Sequence, residues 1–404
     1  MRIGLHQIVA GVACVGASLI CAACVAFAQV PPRPEPGAIR IATFNASLNR
    51  KGPGVLLKAL EKGKDSQIEA VADIIRIVRP DILLINEFDH DPEGRALALF
   101  QAWLRRDGVQ TFGLELRHAF TTPPNTGVLS GHDLDRDGKT RRAEDAFGYG
   151  RFPGQYGMLL LSRLPIDHAR ARSFSKLLWR DLPGADMPVD ADGSPYPTAA
   201  AQAVLRLSSK SHWDVPVQIG GVSVHIWASH PTPPVFDGPE DFNGRRNRDE
   251  IRFWSQYLDG YAPMDDAGTE GGRAEAPFVI LGDLNADPED GEGAHAAIKA
   301  LLSHAMIVDP QPRSAGGQAA SGRDGGANRR HKGDAATDTA DWNDTRGPGN
   351  LRVDYVLPSR ALRVVASGVF WPTEDEPLYR LIGSGKPVSS DHRLVWVDVH
   401  IGAE

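Results

Sequence analysis

The chain has 404 residues, 42% of them hydrophobic and 24% charged, with 42 Gly and 30 Pro. That mix fits a globular protein and excludes a collagen-like, coiled-coil or wholly disordered chain. The formal charge of -7 excludes a bulk polyanion binder, so a nucleic-acid substrate would have to be held by a local basic patch.

Met1 to Ala28 reads as a secretory signal: Arg2 near the start, an apolar stretch from Ile8 to Val25, and Ala26-Phe27-Ala28 as a small-residue cleavage site. The apolar run is near the lower limit for spanning a bilayer, so no transmembrane anchor is expected after cleavage. All three cysteines, Cys14, Cys21 and Cys24, fall inside this segment. The mature chain therefore has no disulfide, thiolate nucleophile or Cys-ligated zinc. Its expected location is the periplasm or outside the cell. Residues 29–38 follow as a stiff Pro-rich linker, and one domain is expected over 39–402.

Inside that domain, Ile39 to Phe44 (IRIATF) fills with apolar residues as a sheet strand does. Ser66 to Val78 carries Ile68, Val71, Ile74, Ile75 and Val78 at helical spacing, and Pro80 ends it. Asp81 to Asn86 is a short apolar strand. Further strands are expected at Gly157 to Leu161, Val222 to Ser229, Phe278 to Leu281, Arg352 to Leu357 and Arg393 to Val399, with a second helix over Arg245 to Leu258. Strands interleaved with helices indicate a layered α/β fold. Two stretches read as insertions, at about 121–151 and 311–350. The second contains no Val, Ile, Leu, Met or Phe and is expected to be a long surface loop.

Common catalytic signatures are absent. There is no G-x-S-x-G elbow and no H-E-x-x-H, and Gly138-Lys139-Thr140 fails as a P-loop because Asp133 stands where the first Gly is required. What remains is a set of polar residues at strand ends: Asn45, Glu87, His230, Asp283, Asn285, Asp354, and Asp391 with His392. Several carboxylates without cysteine suit a hard, oxygen-ligated ion such as Mg²⁺ or Mn²⁺. Histidines nearby suit proton transfer and phosphate contact.

The order Thr43-Phe44-Asn45, Asn86-Glu87, Ser229-His230-Pro231, Gly282-Asp283-Leu284-Asn285, Arg352-Val353-Asp354-Tyr355 and Ser390-Asp391-His392 resembles the endonuclease/exonuclease/phosphatase superfamily typified by deoxyribonuclease I. The resemblance implies a four-layered sandwich of two packed mixed β-sheets flanked by helices, and metal-dependent phosphoester hydrolysis by in-line attack of water. It implies Glu87 as main metal ligand with Asn45 beside it, and Asp391 as a further metal or water contact. It makes Asp283 and Asn285 the pair that positions or activates water, Asp354 the carboxylate that orients His392, and His230 a phosphate or leaving-group contact. Which of Asp283 and His392 takes the water's proton stays open. So does the choice between a phosphodiesterase or endonuclease, a phosphomonoesterase and a non-catalytic secreted binding module on the same fold.

Lys210, His212 and Arg245 are candidate substrate contacts, since each stands near a motif and can donate to a phosphate oxygen. No long basic stripe interleaved with aromatics is present. A phosphoester substrate is the only partner implied, and a monomer is expected. Separately, Asp133, Asp135, Asp137, Gly138 and Glu144 match D-x-D-x-D-G-x₅-E, a twelve-residue calcium loop, without the flanking helices of an EF-hand. A structural Ca²⁺ is expected there.

Overall fold

The computed structural model describes residues 30–108, 111–383 and 386–402; the signal segment expected over 1–28 lies outside them. In chain order the strands are β1 (Ile39–Asn45), β2 (Ile82–Asn86), β3 (His118–Phe120) and β4 (Met158–Ser162), then β5 (Arg172–Ser173), β6 (His212–Ile219), β7 (Val222–Ser229) and β8 (Phe278–Asp283). A short pair, β9 (Ala340–Asp341) and β10 (Asn350–Leu351), precedes β11 (Asp354–Pro358), β12 (Leu362–Val369) and β13 (Val395–Ile401). One sheet runs β12-β13-β1-β2-β4-β3 and the other β11-β8-β7-β6-β5.

Period-two alternation gives the second sheet two apolar faces. Ile226, Ala228, Val279, Leu281 and Val356 share a core with the first sheet. Their neighbours Trp227, Phe278, Ile280, Tyr355 and Leu357 belong to a separate core. Helices α1 (Val55–Lys62), α2 (Ser66–Val78) and α3 (Arg95–Arg105) cover the first sheet through Leu56, Ile68, Val71, Ile75, Phe100 and Trp103. After the short α4 (Ala199–Gln202), helices α5 (Phe242–Leu258) and α6 (His295–Leu302) cover the second sheet through Ile251, Trp254, Tyr257 and Ile298. Four layers result, helices outside and sheets inside. Each fully buried large apolar side chain contributes roughly 1.5–3 kcal/mol to holding them together. The ends of α2 are written locally: Asp65 accepts the N–H groups of Gln67 and Ile68, and Arg79 leaves the helix at φ 54° just before Pro80.

Connectivity then decides where polar residues meet. β1 and β2 are parallel, with Asn45 opposite Asn86, and β7 and β8 are parallel in the other sheet. β11 runs antiparallel to β8, so its first residue Asp354 lies opposite the last residue of β8, Asp283. β13 runs antiparallel to β1, which puts the segment just before it, Asp391-His392, beside the end of β1. One end of the sandwich therefore collects every motif.

The 311–350 stretch departs from expectation. It is not a loose surface loop: it forms α7 (Ala315–Asp324), two 3₁₀ turns and the β9–β10 pair, with Ser314, Ala320, Ala327, Asn328, Thr339 and Ala340 buried. The absence of large aliphatic residues misleads because small residues let the backbone itself pack closely. A Cβ on Gly316 would stand 2.2 Å from the Trp371 carbonyl oxygen. The 121–151 stretch is held by two isolated bridges, Thr126 with Gly148 and Leu129 with Ala146, and buries Leu134 in the second core.

Candidate active site

Asp283 closes β8 and is 1% exposed. The glycine before it is required: Gly282 adopts φ +150°, and a Cβ there would lie 2.0 Å from the Ser229 carbonyl of β7. Three side chains surround one carboxylate oxygen of Asp283. Asn45 Nδ2 donates to Oδ2 at 3.0 Å, His230 Nε2 lies at 3.3 Å and His392 Nε2 at 3.7 Å. The other oxygen accepts the backbone N–H of Asn285 at 2.9 Å. Asn285 itself sits at φ 51°, a left-handed conformation Asn tolerates, and its Nδ2 donates to the Pro231 carbonyl at 3.0 Å. Burial alone would raise the Asp283 carboxyl, but His392, His230 and the Asn45 hydrogen bond outweigh it and hold it well below the usual carboxylate range.

His392 is fixed from behind. Its Nδ1 meets Asp354 Oδ2 at 2.9 Å, and Thr339 Oγ1 donates to the same oxygen at 2.8 Å. Burial disfavours the imidazolium, yet Asp354, Asp283 and Asp391 together push its pKa up to about 10. His230 goes the other way. Burial and the Lys210 ammonium lower it to about 4, so it is neutral, with Nε2 facing Asp283 Oδ2. The two histidines thus hold opposite charge states around one carboxylate.

Glu87 follows β2 at φ 61°, a left-handed conformation that costs about 1–3 kcal/mol in a non-glycine residue and concentrates at functional sites. Its Oε2 accepts Asn49 Nδ2 at 2.7 Å. Burial and the nearby Asp391 carboxylate push its carboxyl up, against His392 and Lys210. Asp391 accepts Ser47 Oγ and Trp342 Nε1, both at 3.1 Å. The Asp391 charge acts on Glu87, and neighbouring carboxylate oxygens suit a hard divalent ion. Asp283, Asp354 and His392 also bring ligand atoms within 4.8 Å of one another. Two of those groups, Asp354 and His392, are hydrogen-bonded to each other.

Among the expected substrate contacts, Lys210 is buried beside His230, its Nζ 3.4 Å from the Pro231 carbonyl; burial lowers its pKa against the pull of Glu250, Glu87 and Asp283. His212 requires correction. His212 opens β6 and is buried, with Nδ1 on Ser208 Oγ at 2.6 Å and Nε2 on the Glu250 carbonyl at 2.8 Å. Neither nitrogen is free for a phosphate. Arg245 is turned to Asp186 at 2.6 Å and to the Glu240 carbonyl at 3.1 Å, so its guanidinium is engaged within the protein. Asp133, Asp135 and Asp137 do bring oxygens within 4.8 Å of one another, but Glu144 is not in that group. Lys139 and Arg142 both pair with Asp137 and offset its charge.

Several positioning residues escaped the sequence reading. Glu250 of α5 accepts the N–H groups of Ser209 and Thr232, both at 2.7 Å, and so clamps the segments that carry Lys210 and His230. Trp342 stands edge-on to His392, ring centroids 5.2 Å apart. Ser390 Oγ donates to the Asn45 carbonyl at 2.7 Å and ties the end of β1 to the His392 segment. Only Ser390, inside a quoted motif, carried a local signal. Thr339, Trp342 and Glu250 reach the site through long-range packing.

A caged carboxylate beside a charged imidazole is a constellation suited to moving a proton and contacting a phosphate oxygen. The chain belongs to the Endonuclease/Exonuclease/phosphatase family, whose model matches residues 42–392. No curated protein sequence matches it. Among solved structures it is similar to an endonuclease/exonuclease/phosphatase from Beutenbergia cavernae, with 17% identity, a TM-score of 0.48 and coverage of 91% of this chain and 72% of that one. It is similar also to the human Nocturnin catalytic domain, at 16% identity and TM-score 0.44, covering 92% and 94%. A third similarity is to a mannosyl-6-phosphatase from Bacteroides thetaiotaomicron, at 12% identity and TM-score 0.45, covering 89% and 99%.

Proposed function

We propose that the protein is an exported, divalent-metal-dependent phosphodiesterase that cleaves its substrate by in-line attack of water. The observation that carries this reading is the Asp283 carboxylate held between Asn45, His230 and His392, next to the Glu87–Asp391 corner. Mg²⁺ or Mn²⁺ held by Glu87, Asp391 and Asn45 would supply neutralisation of a phosphate oxygen. Asp283, kept ionised, orients the attacking water and accepts its proton. His392, protonated and fixed by Asp354, directs Nε2–H at the phosphate oxygens, while neutral His230 steadies Asp283. A weakly basic carboxylate suffices because phosphoryl transfer depends mainly on positioning and charge stabilisation.

Lys210 and His392 lie beside Glu87 and Asp283 and can offset negative charge on a phosphate oxygen; within this reading a diester ranks ahead of a monoester. The export part rests on the Arg2, Ile8–Val25 and Ala26-Phe27-Ala28 pattern. Among the described residues no helix is long and apolar enough to cross a membrane. The deciding experiment compares bis(p-nitrophenyl) phosphate with p-nitrophenyl phosphate, each with Mg²⁺, Mn²⁺ or excess EDTA. The diester should be cleaved faster, EDTA should abolish turnover, and Asp283→Asn should remove it. Undiminished turnover in EDTA would overturn the metal requirement, and a faster monoester would overturn the diester preference. A mass spectrum of protein recovered from the periplasm should start at Gln29.

A further inference from the structure

A cavity of about 610 Å³ opens beside Glu87, lined in part by Arg50, Lys51, Arg151, Lys386 and Tyr156. Its volume falls in the range of small-molecule sites, roughly 300–1,000 Å³. Asn49 connects it to the reaction centre, since this residue lines the cavity and donates to Glu87 Oε2 at 2.7 Å. Four of the lining side chains are cationic and Asp65 is the one acidic residue there. Asp65 is paired with Arg50 at 3.4 Å. Among the described residues, Lys51, Arg151 and Lys386 have no acidic partner. On a chain of net charge -7, three uncompensated cations on one concave wall are not an average piece of surface.

The wall is also held rigid, and by side chains whose only evident task is to hold it. Buried Gln155 donates Nε2–H to the Arg50 carbonyl at 2.9 Å and accepts the Arg151 N–H on Oε1 at 2.8 Å. Buried Asp89 accepts the N–H of Arg50 at 2.8 Å and that of Tyr156 at 3.2 Å. Gln67 Nε2 donates to the Ser47 carbonyl at 2.9 Å and to the Ser389 carbonyl at 2.8 Å, joining the first loop to the one that carries Lys386. Tyr156 is fixed at φ 56° in the same assembly. Three loops distant in sequence are therefore bound into one preorganised cationic surface, and preorganisation is what makes such a surface selective.

We propose that this cavity seats a second anionic group of the substrate, so that the enzyme acts on a small phosphoester carrying a further phosphate, with Tyr156 beside the group that links the two. The inference rests on the hydrolytic reading of the Asp283 site and adds the substrate class. A small ligand is preferred to a nucleic-acid strand because the cations converge on one cavity instead of forming a track, and net charge opposes bulk polyanion binding.

The test separates this pocket from the hydrolytic reading by measuring binding as well as turnover. In calorimetry on the full chain in EDTA, adenosine 3′,5′-bisphosphate should bind at least about tenfold more tightly than adenosine 5′-monophosphate, the scale of one charge-assisted contact. Lys51→Ala/Arg151→Ala/Lys386→Ala should erase that difference while melting like wild type. The paired kinetic measurement uses the p-nitrophenyl ester of thymidine 5′-phosphate with and without a 3′-phosphate. Wild type should prefer the 3′-phosphorylated ester through KM, and the triple variant should lose the preference yet keep its rate on the other ester. Equal affinity of wild type for the two adenosine ligands would overturn the proposal even if both esters are hydrolysed. A variant that is weakened only towards a ten-nucleotide single strand would overturn it in favour of a nucleic-acid track. If both esters resist hydrolysis but the bisphosphate discrimination is present, the hydrolytic reading fails and the pocket stands.

Discussion

His392 shows how burial and charge compete at a single residue. Its ring is 5% exposed, which should favour the neutral form, but the carboxylates of Asp354 and Asp283 lie 2.9 and 3.7 Å from its two nitrogens. The folded pKa of about 10 stands above the free value of 6.5. A group raised in this way stabilises the fold fully below pH 6.5, and that contribution is lost as pH climbs through 10. Metal-free wild type should therefore lose melting temperature steadily over that interval, whereas Asp354→Asn should start lower and change less. Parallel profiles for the two proteins would show that Asp354 does not hold the imidazolium. In turnover, Asp354→Asn and His392→Ala should be strongly non-additive, because both disable one unit; a double-mutant loss equal to the product of the single losses would contradict that. Glu87→Gln keeps the shape and removes the charge, so activity should drop ~10²-fold or more, as when an electrostatic stabiliser is removed. Its circular dichroism should match wild type.

At the scale of elements, the long motif-bearing strands were legible because each is a nearly unbroken apolar run that ends in one polar residue. IATFN, ILLIN and VILGD all read this way. Runs buried on both faces need no alternation to be recognised. β6 was not legible, because Pro216 interrupts it and Asp214 is accommodated inside it by His225 at 2.5 Å and Tyr257 at 2.9 Å. Without β6, His212 could not be placed inside a strand, and its nearness to the His230 motif made it a substrate candidate. The 311–350 stretch was missed for a different reason: its order comes from small residues and main-chain pairing. Asp341 N–H bonds to the Asp391 carbonyl and Arg393 N–H to the Thr339 carbonyl, which fastens the insertion to the His392 segment. This makes Thr339 a sensitive point. Its hydroxyl donates to Asp354 Oδ2 and accepts the N–H groups of Val353 and Asp354, both at 3.0 Å. Thr339→Val leaves those buried groups unpaired at a cost of about 1–3 kcal/mol. Urea titration should show that loss, with a turnover defect that Thr339→Ser largely restores.

Across the whole molecule, the reaction centre draws on both sheets and on the insertion, so its integrity depends on how they pack. Asn45 and Glu87 come from the first sheet, Asp283 and Asp354 from the second, and Asp391 from the segment entering β13. Before any cation binds, burial and the Asp391 charge disfavour the ionised form of Glu87, so the end of β2 and the segment entering β13 carry negative charge that a cation would offset. A cation that binds the folded chain and not the unfolded one stabilises it by mass action, about 2.7 kcal/mol at a hundredfold excess over Kd. In a protein of this size that is a rise of several degrees in melting temperature, at roughly 2–4 °C per kcal/mol or somewhat less. Mg²⁺ or Mn²⁺ should therefore raise the melting temperature of wild type, and EDTA should reverse the rise. Glu87→Gln should abolish it. Asp135→Ala should keep it, because the Asp133–Asp135–Asp137 group lies on a different loop from every residue of the centre. If Asp135→Ala loses the shift and Glu87→Gln keeps it, the stabilising cation sits in the loop, and Glu87 has been given the wrong role.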